Sequence, residues 1–257
     1  MQSLSAAQIL KIWELGQRRH PLEQALLLLQ AAYPQSTQQQ LANLSIGQRD
    51  AGLLRLRELT FGPQLNSLTH CPQCQEKLEF SLTVTDIQFA APLDQLLPAD
   101  ELASSPEYDF TQGDYHIRFR LPNSYDLGAI APVEDATQAT EQLLSRCLIS
   151  AHYQGNAIDD IPSLQSDVLT QLSAQMVEHD PQAEVLMPLT CPNCEHSWHS
   201  LFDIVSFFWT ELTSQAKQLL QEVHVLARFY GWREADILAM TTVRRRFYLD
   251  WIDRTTG

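Results

Sequence analysis

The sequence predicts an α+β fold, mostly helical, with a small antiparallel β element at two distant Cys-Pro-x-Cys knuckles. Three observations point there. Apolar residues at helical spacing fill both ends of the chain, strand-like alternation appears in its middle, and two similar cysteine hooks lie far apart, in "LTHCPQCQEKLEF" at 68–80 and "LTCPNCEHSWHSLF" at 189–202.

In "SAAQILKIWELG", Ser5 is placed to cap a helix that carries Ile9, Leu10, Ile12, Trp13 and Leu15 and stops at Gly16. A second helix, "HPLEQALLLLQAAYP", starts with Pro21 in its first turn and ends before Pro34. The third, "IGQRDAGLLRLRELTFG", carries Leu53, Leu54, Leu56 and Leu59 and stops near Gly62. Past the first hook, Leu78, Phe80, Leu82 and Val84 alternate with Lys77, Glu79, Ser81 and Thr83, the period of a strand. "YDFTQGDYHIRFRLP" alternates again around a Gln-Gly-Asp turn, which predicts a hairpin.

Residues 124–178 read as helix again, in "SYDLGAIA", "DATQATEQLLSRCLISAHY" and "SLQSDVLTQLSAQMVEHD", with Cys147 as a small buried side chain. "AEVLMPLT" is a strand leading into the second hook. From Phe202 onward the pattern is helical, punctuated by Gly231. The resulting division is a helical segment over 1–66, a split β element over 67–90 and 184–204, an inserted mixed segment over 91–183, and a helical region over 205–257.

Composition narrows the function. The chain has 257 residues, 44% of them hydrophobic, enough for one large core or two modest ones. No run of eighteen apolar residues exists, and the first residues show no basic start followed by an apolar stretch, so the expectation is a cytoplasmic protein with no membrane contact. A net charge of -14 repels nucleic-acid backbones; Arg244, Arg245 and Arg246 form the one short basic patch, so nucleic acid is not the expected partner. Asp159 and Asp160 are adjacent and read as solvated acids.

A reducing compartment and an odd count of five cysteines favour metal over disulfides. Structural zinc takes four ligands in a tetrahedron, and proline suits the tight turn in Cys71-Pro72-Gln73-Cys74 and in Cys191-Pro192-Asn193-Cys194. Together the hooks make a four-cysteine, zinc-ribbon-like site for one structural zinc per chain. The 117 positions between Cys74 and Cys191 are no obstacle. Closing such a loop costs about 4 kcal/mol, against roughly 10 to 16 kcal/mol of apparent binding free energy from a structural zinc. A set made of Cys191, Cys194, His196 and His199 is too tightly spaced, and His196, His199 and His70 read as exposed loop residues. A thioredoxin-type pair would need the hook at a helix N-terminus, whereas extended residues follow the first hook.

No phosphate loop, dinucleotide fingerprint, metalloprotease motif or nucleophile elbow is present, and a closed four-cysteine site leaves zinc no open position for water. The reading is therefore a protein without catalytic residues. Its rival is a zinc-ribbon regulator binding nucleic acid or RNA polymerase.

The stretch "LLQEVHVLARFYGWREADILAMTTVRRRFYLDWI" resembles the closing region of small baseplate-associated proteins of contractile phage tails and injection systems, including the baseplate hub assembly chaperones. The matching positions are Tyr230, Gly231, Trp232, Glu234, Ile237, Leu238, Arg244 and Tyr248. "IWELGQRRHPLEQALLLL", with the paired hooks, looks like longer members from injection-system clusters. The phage members are generally shorter, so the hooks are not carried over from them. What the resemblance implies is a non-enzymatic assembly factor or minor structural component, with baseplate or hub proteins as partners. Trp232, Arg244, Arg245 and Tyr248 are the expected partner-binding surface.

Overall fold

The structure, a computed structural model, describes residues 1–89, 106–158 and 164–256; Asp159 and Asp160, with parts of the inserted segment read over 91–183, lie outside them. The fold is α+β and mostly helical, with small antiparallel sheets.

Four helices and one very long one build the main core. Ser5 and Gln8 cap each other reciprocally at the start of α1 (Ala6–Gly16). Pro21 opens α2 (Pro21–Ala32), and a short α3 (Gln38–Ala42), unanticipated from the sequence, follows. The helix α4 (Ile46–Phe61) is capped by Ser45 and ends at Gly62, whose φ of 92° is open to glycine. Helix α9 (Ile204–Tyr230) runs 27 residues, roughly 40 Å, and stops where Gly231 turns left-handed. Leu28, Leu29, Leu53, Leu54, Leu56, Phe208, Leu212 and Ala216 bury together between these helices. Gly16 does more than end α1, because a Cβ there would lie 2.2 Å from the indole of Trp209 on α9.

Arg57 locks α4 to α9 from inside. Its side chain is 2% exposed, donates through Nε and Nη2 to both carboxylate oxygens of Glu211 at 2.8 and 2.6 Å, and donates through Nη1 to the Gly62 carbonyl at 2.7 Å. This fork geometry satisfies a charge that would otherwise be costly to bury.

After Thr83 the backbone leaves the expected strand, and Val84–Ile87 forms a helical turn, α5, that buries Val84 and Ile87 against the helical core. Of the described residues between the hooks, 107–158 and 164–179 fold around their own core. Strands β3 (Glu107–Gln112) and β4 (Tyr115–Arg120) form the expected hairpin, turning at Gly113 with φ 57°. Two helices follow, α6 (Ser124–Ile130) and α7 (Ala136–Cys147), then β5 (Leu148–Tyr153), β6 (Asn156–Ala157) and α8 (Ser166–His179). The sheet order is β3-β4-β5-β6, and Phe110, Ile117, Phe119 and Ala151 on its inner face pack on Leu144, Cys147, Val168 and Leu172. Cys147 is buried, as its place in the helical pattern suggests.

One expectation fails here. The helix read through "LLSRCLISAHY" stops at Cys147, and Leu148–Tyr153 becomes a strand paired with β4. Pairing with β4 buries Ala151 and leaves Ile149 outside, so tertiary context decides an ambiguous apolar run.

The insert meets the helical core at the start of α4. The Gly47 amide donates to Asp180 Oδ2 at 2.9 Å and the Ile46 amide to the Pro122 carbonyl at 3.1 Å. A Cβ at Gly47 would fall 1.9 Å from Asp180 Oδ1, so glycine is required by this approach. At the far end of α9, two helices, α10 (Glu234–Leu238) and α11 (Thr242–Thr256), fold back over a small cluster of Val223, Leu226, Ile237 and Ile252.

Candidate metal centre

Each hook is the turn of its own two-stranded hairpin. The first joins β1 (Gln64–His70) to β2 (Lys77–Thr83), with His70 opposite Lys77; the second joins β7 (Leu186–Thr190) to β8 (Ser197–Leu201), with Thr190 opposite Ser197. The zinc-ribbon-like element is thus two separate sheets rather than one. Strands β1 and β8 escape the sequence reading because "QLNSLTH" and "SWHSL" offer little apolar alternation; Leu65 is the one residue of β1 that is buried.

The two turns repeat one backbone geometry. In the first, the Cys71 amide donates to the Glu76 carbonyl at 2.9 Å and the Gln75 amide to the Cys71 carbonyl at 2.9 Å. In the second, Cys191 donates to His196 at 2.9 Å and Glu195 to Cys191 at 3.0 Å. Gln75 and Glu195 both sit left-handed, with φ of 61° and 57°. Backbone curled this way turns amide hydrogens toward the sulfurs.

The sulfurs meet across the hairpins. Cys71 Sγ lies 3.6 Å from Cys194 Sγ, Cys74 Sγ lies 3.5 Å from Cys191 Sγ, and the ligand atoms of all four lie within 4.8 Å of one another. A tetrahedron with metal–sulfur bonds of about 2.3 Å has edges of about 3.8 Å, so the four can hold a metal ion with small adjustments. These separations are far beyond a disulfide's roughly 2.05 Å. Cys71 and Cys191 are fully buried, Cys74 and Cys194 partly, and Asn193 of one hook offers its amide to Cys74 Sγ of the other at 3.7 Å.

Proton affinity in the cluster is uneven. The Glu76 amide, donating to Cys74, holds that thiol down at about 6. The equivalent His196 amide acts the same way on Cys194, but burial and the hydrogen bonds to its neighbouring thiols push it up to about 12. One sulfur therefore ionises readily while the last resists, as four crowded thiols must. A bound dication would remove that resistance.

The histidines stand apart from the cluster. His70 and His199 are exposed, and His196 stacks on Trp198 at 5.9 Å. The expected partner-binding residues gather elsewhere, at the α9–α11 end. Trp232 stacks on Tyr230 at 4.4 Å and meets Tyr248 edge-on at 4.9 Å, both half-buried, while Arg244 lies over the Tyr248 ring at 5.8 Å and is exposed. Arg245 corrects the expectation of a surface charge. It is 3% exposed, with Nε donating to Glu222 at 2.7 Å and Nη1 to the Met240 carbonyl at 2.6 Å, because the acid on α9 draws it inward. Phe247 and Trp251, on the same helix as Arg245, instead stand out from the surface.

Fold and site together define a mostly helical protein whose distant hairpins converge on a four-cysteine centre able to hold a metal ion. The chain belongs to the T4 bacteriophage base plate protein family, whose model matches residues 9–209, from α1 through both hooks into α9. No curated protein and no solved structure matches this chain. Helices α10 and α11, and all the residues that resemble the hub assembly chaperones, lie beyond the matched span. Among the described residues no helix is long and apolar enough to cross a membrane.

Proposed function

We propose that this chain is a non-enzymatic assembly factor, or a minor structural component, of the baseplate of a contractile phage tail or injection system, built around one structural zinc. The observation that carries the reading is the base plate family match over residues 9–209, which includes both hooks. Its partners are baseplate or hub proteins. The chaperone form of the reading is supported by the likeness of Tyr230, Gly231, Trp232, Glu234, Arg244 and Tyr248 to the ends of hub assembly chaperones.

Zinc is favoured by the donors, since four thiolate sulfurs suit zinc and leave no open coordination position. Cys71, Cys74, Cys191 and Cys194 would hold it, and its contribution would be structural, tying together segments that the sequence separates. The nucleic-acid alternative loses one of its three arginines to the Glu222 pair.

Affinity purification from cells producing the particle tests the proposal. Recovery of a baseplate or hub protein is expected. Recovery from the soluble pool alone indicates a transient chaperone, and presence in purified particles a structural component. Recovery of no baseplate protein at all contradicts the proposal.

A further inference from the structure

Helix α11 is apolar on two sides. Its inner side carries Ile252 and the paired Arg245, while Val243, Phe247 and Trp251, four residues apart and therefore in one stripe, point outward at 80%, 61% and 52% exposure. Phe247 and Trp251 stack with their ring centroids 6.3 Å apart, so the stripe is ordered by itself. Rimmed by charge, such a stripe marks a contact surface rather than a solvated face.

We propose that this stripe is covered by the same stripe of a second copy of the chain, the two α11 helices packing antiparallel about a two-fold axis at Phe247. The charges on the rim argue for this occupant. In such an isologous pair, equal borders of the two helices face each other. Arg246 and Asp250 share one border; both are exposed, and neither forms an ion pair among the described residues. Arg246 lies one residue before Phe247 and Asp250 three after, so Arg246 stands opposite the partner's Asp250 with an axial offset of two residues, about 3 Å, well within an arginine's reach. Symmetry repeats the pair. On the other border Arg244, already over the Tyr248 ring, meets the partner's Trp251, a second cation–π contact, and Val243 packs beneath the same indole. Arg246 also comes within the same offset of the partner's Arg246 across the axis, but that single like pair is outnumbered by the two Arg246–Asp250 pairs, so on balance the border is complementary to itself. This inference stands independently of the baseplate proposal.

The experiment is light scattering on the full chain between ~1 and ~100 µM, the range expected for an interface of this modest area. Wild type should shift from monomer to dimer. Arg246→Asp and Asp250→Arg should each stay monomeric, since each sets like charges against each other twice, with unchanged helical circular dichroism. Mixing the two variants should restore a dimer, because every cross-pair is then of opposite sign; a charge effect confined to one helix cannot produce that. A wild-type chain that stays monomeric throughout overturns the proposal and leaves the stripe to a different protein. Variants that dimerise alone as wild type does, or a mixture that remains monomeric, overturn it as well.

Discussion

Cys71 and Cys191 are the fully buried members of the cluster, one from each hook, and the backbone around them is the same. A shared ion would make them equivalent. Cys71→Ser and Cys191→Ser should therefore lose metal together and lower the thermal midpoint alike, by about 10 °C or more for the loss of several kcal/mol in a chain of this size. Unequal or local losses, followed by hydrogen exchange, would indicate two independent sites. Buried charge gives a second prediction at this scale. Glu211→Ala strands Arg57 without its carboxylate and should cost about 3 kcal/mol in a denaturant titration. A third concerns Asp126, fully buried under Arg120 and Arg146. Burial alone would raise its carboxyl, but hydrogen bonds from Arg120, the Asn123 amide and Arg146 outweigh it and hold the group below the usual carboxylate range. A depressed folded-state value gives stability that is complete above the unfolded value of about 3.9 and lost as pH falls through the folded one. Stability should fall in that acid window, and Asp126→Asn should flatten the fall in urea midpoints taken between about pH 6 and pH 2; an unchanged acid slope would contradict the assignment.

Elements with strong local punctuation were the ones legible in sequence. Ser5, Pro21, Gly62 and Gly231 mark helix ends that the structure reproduces, and the hairpin at Gly113 follows from alternation on both sides of it. What was not legible depends on partners far away in the chain. Leu148–Tyr153 continues an apolar run that suits a helix equally well until β4 pairs with it, and Arg245 looks like a surface charge until Glu222, 23 residues earlier on α9, is brought beside it. The hook cysteines were legible from spacing, whereas the strands β1 and β8 beside them were not, since pairing rather than hydrophobicity defines them. Close packing of elements gives its own prediction. Gly16→Ala would drive a methyl group into Trp209, so α1 must shift against α9 at a cost of about 1 to 3 kcal/mol, measurable as a lower denaturant midpoint with an unchanged slope.

At the scale of the whole molecule, the cysteine centre brackets the insert. The chain leaves the helical core through the first hairpin, folds residues 107–158 and 164–179 around a second core, and returns through the other hairpin beside the first. Beyond the centre, Gly47 and Asp180 tie the same insert to α4, so the cysteine cluster and these hydrogen bonds hold one base from two sides. A body braced this way suits a component of a large assembly, which must present fixed surfaces to its neighbours. The base plate family match covers that braced body, and α11 with its outward Val243, Phe247 and Trp251 lies outside it. If both hooks hold one zinc, native mass spectrometry of the purified chain will show it. One zinc per chain, lost equally on Cys71→Ser and on Cys191→Ser, is the predicted result; two zinc ions per chain, or none with all four thiols free to alkylation, would contradict it.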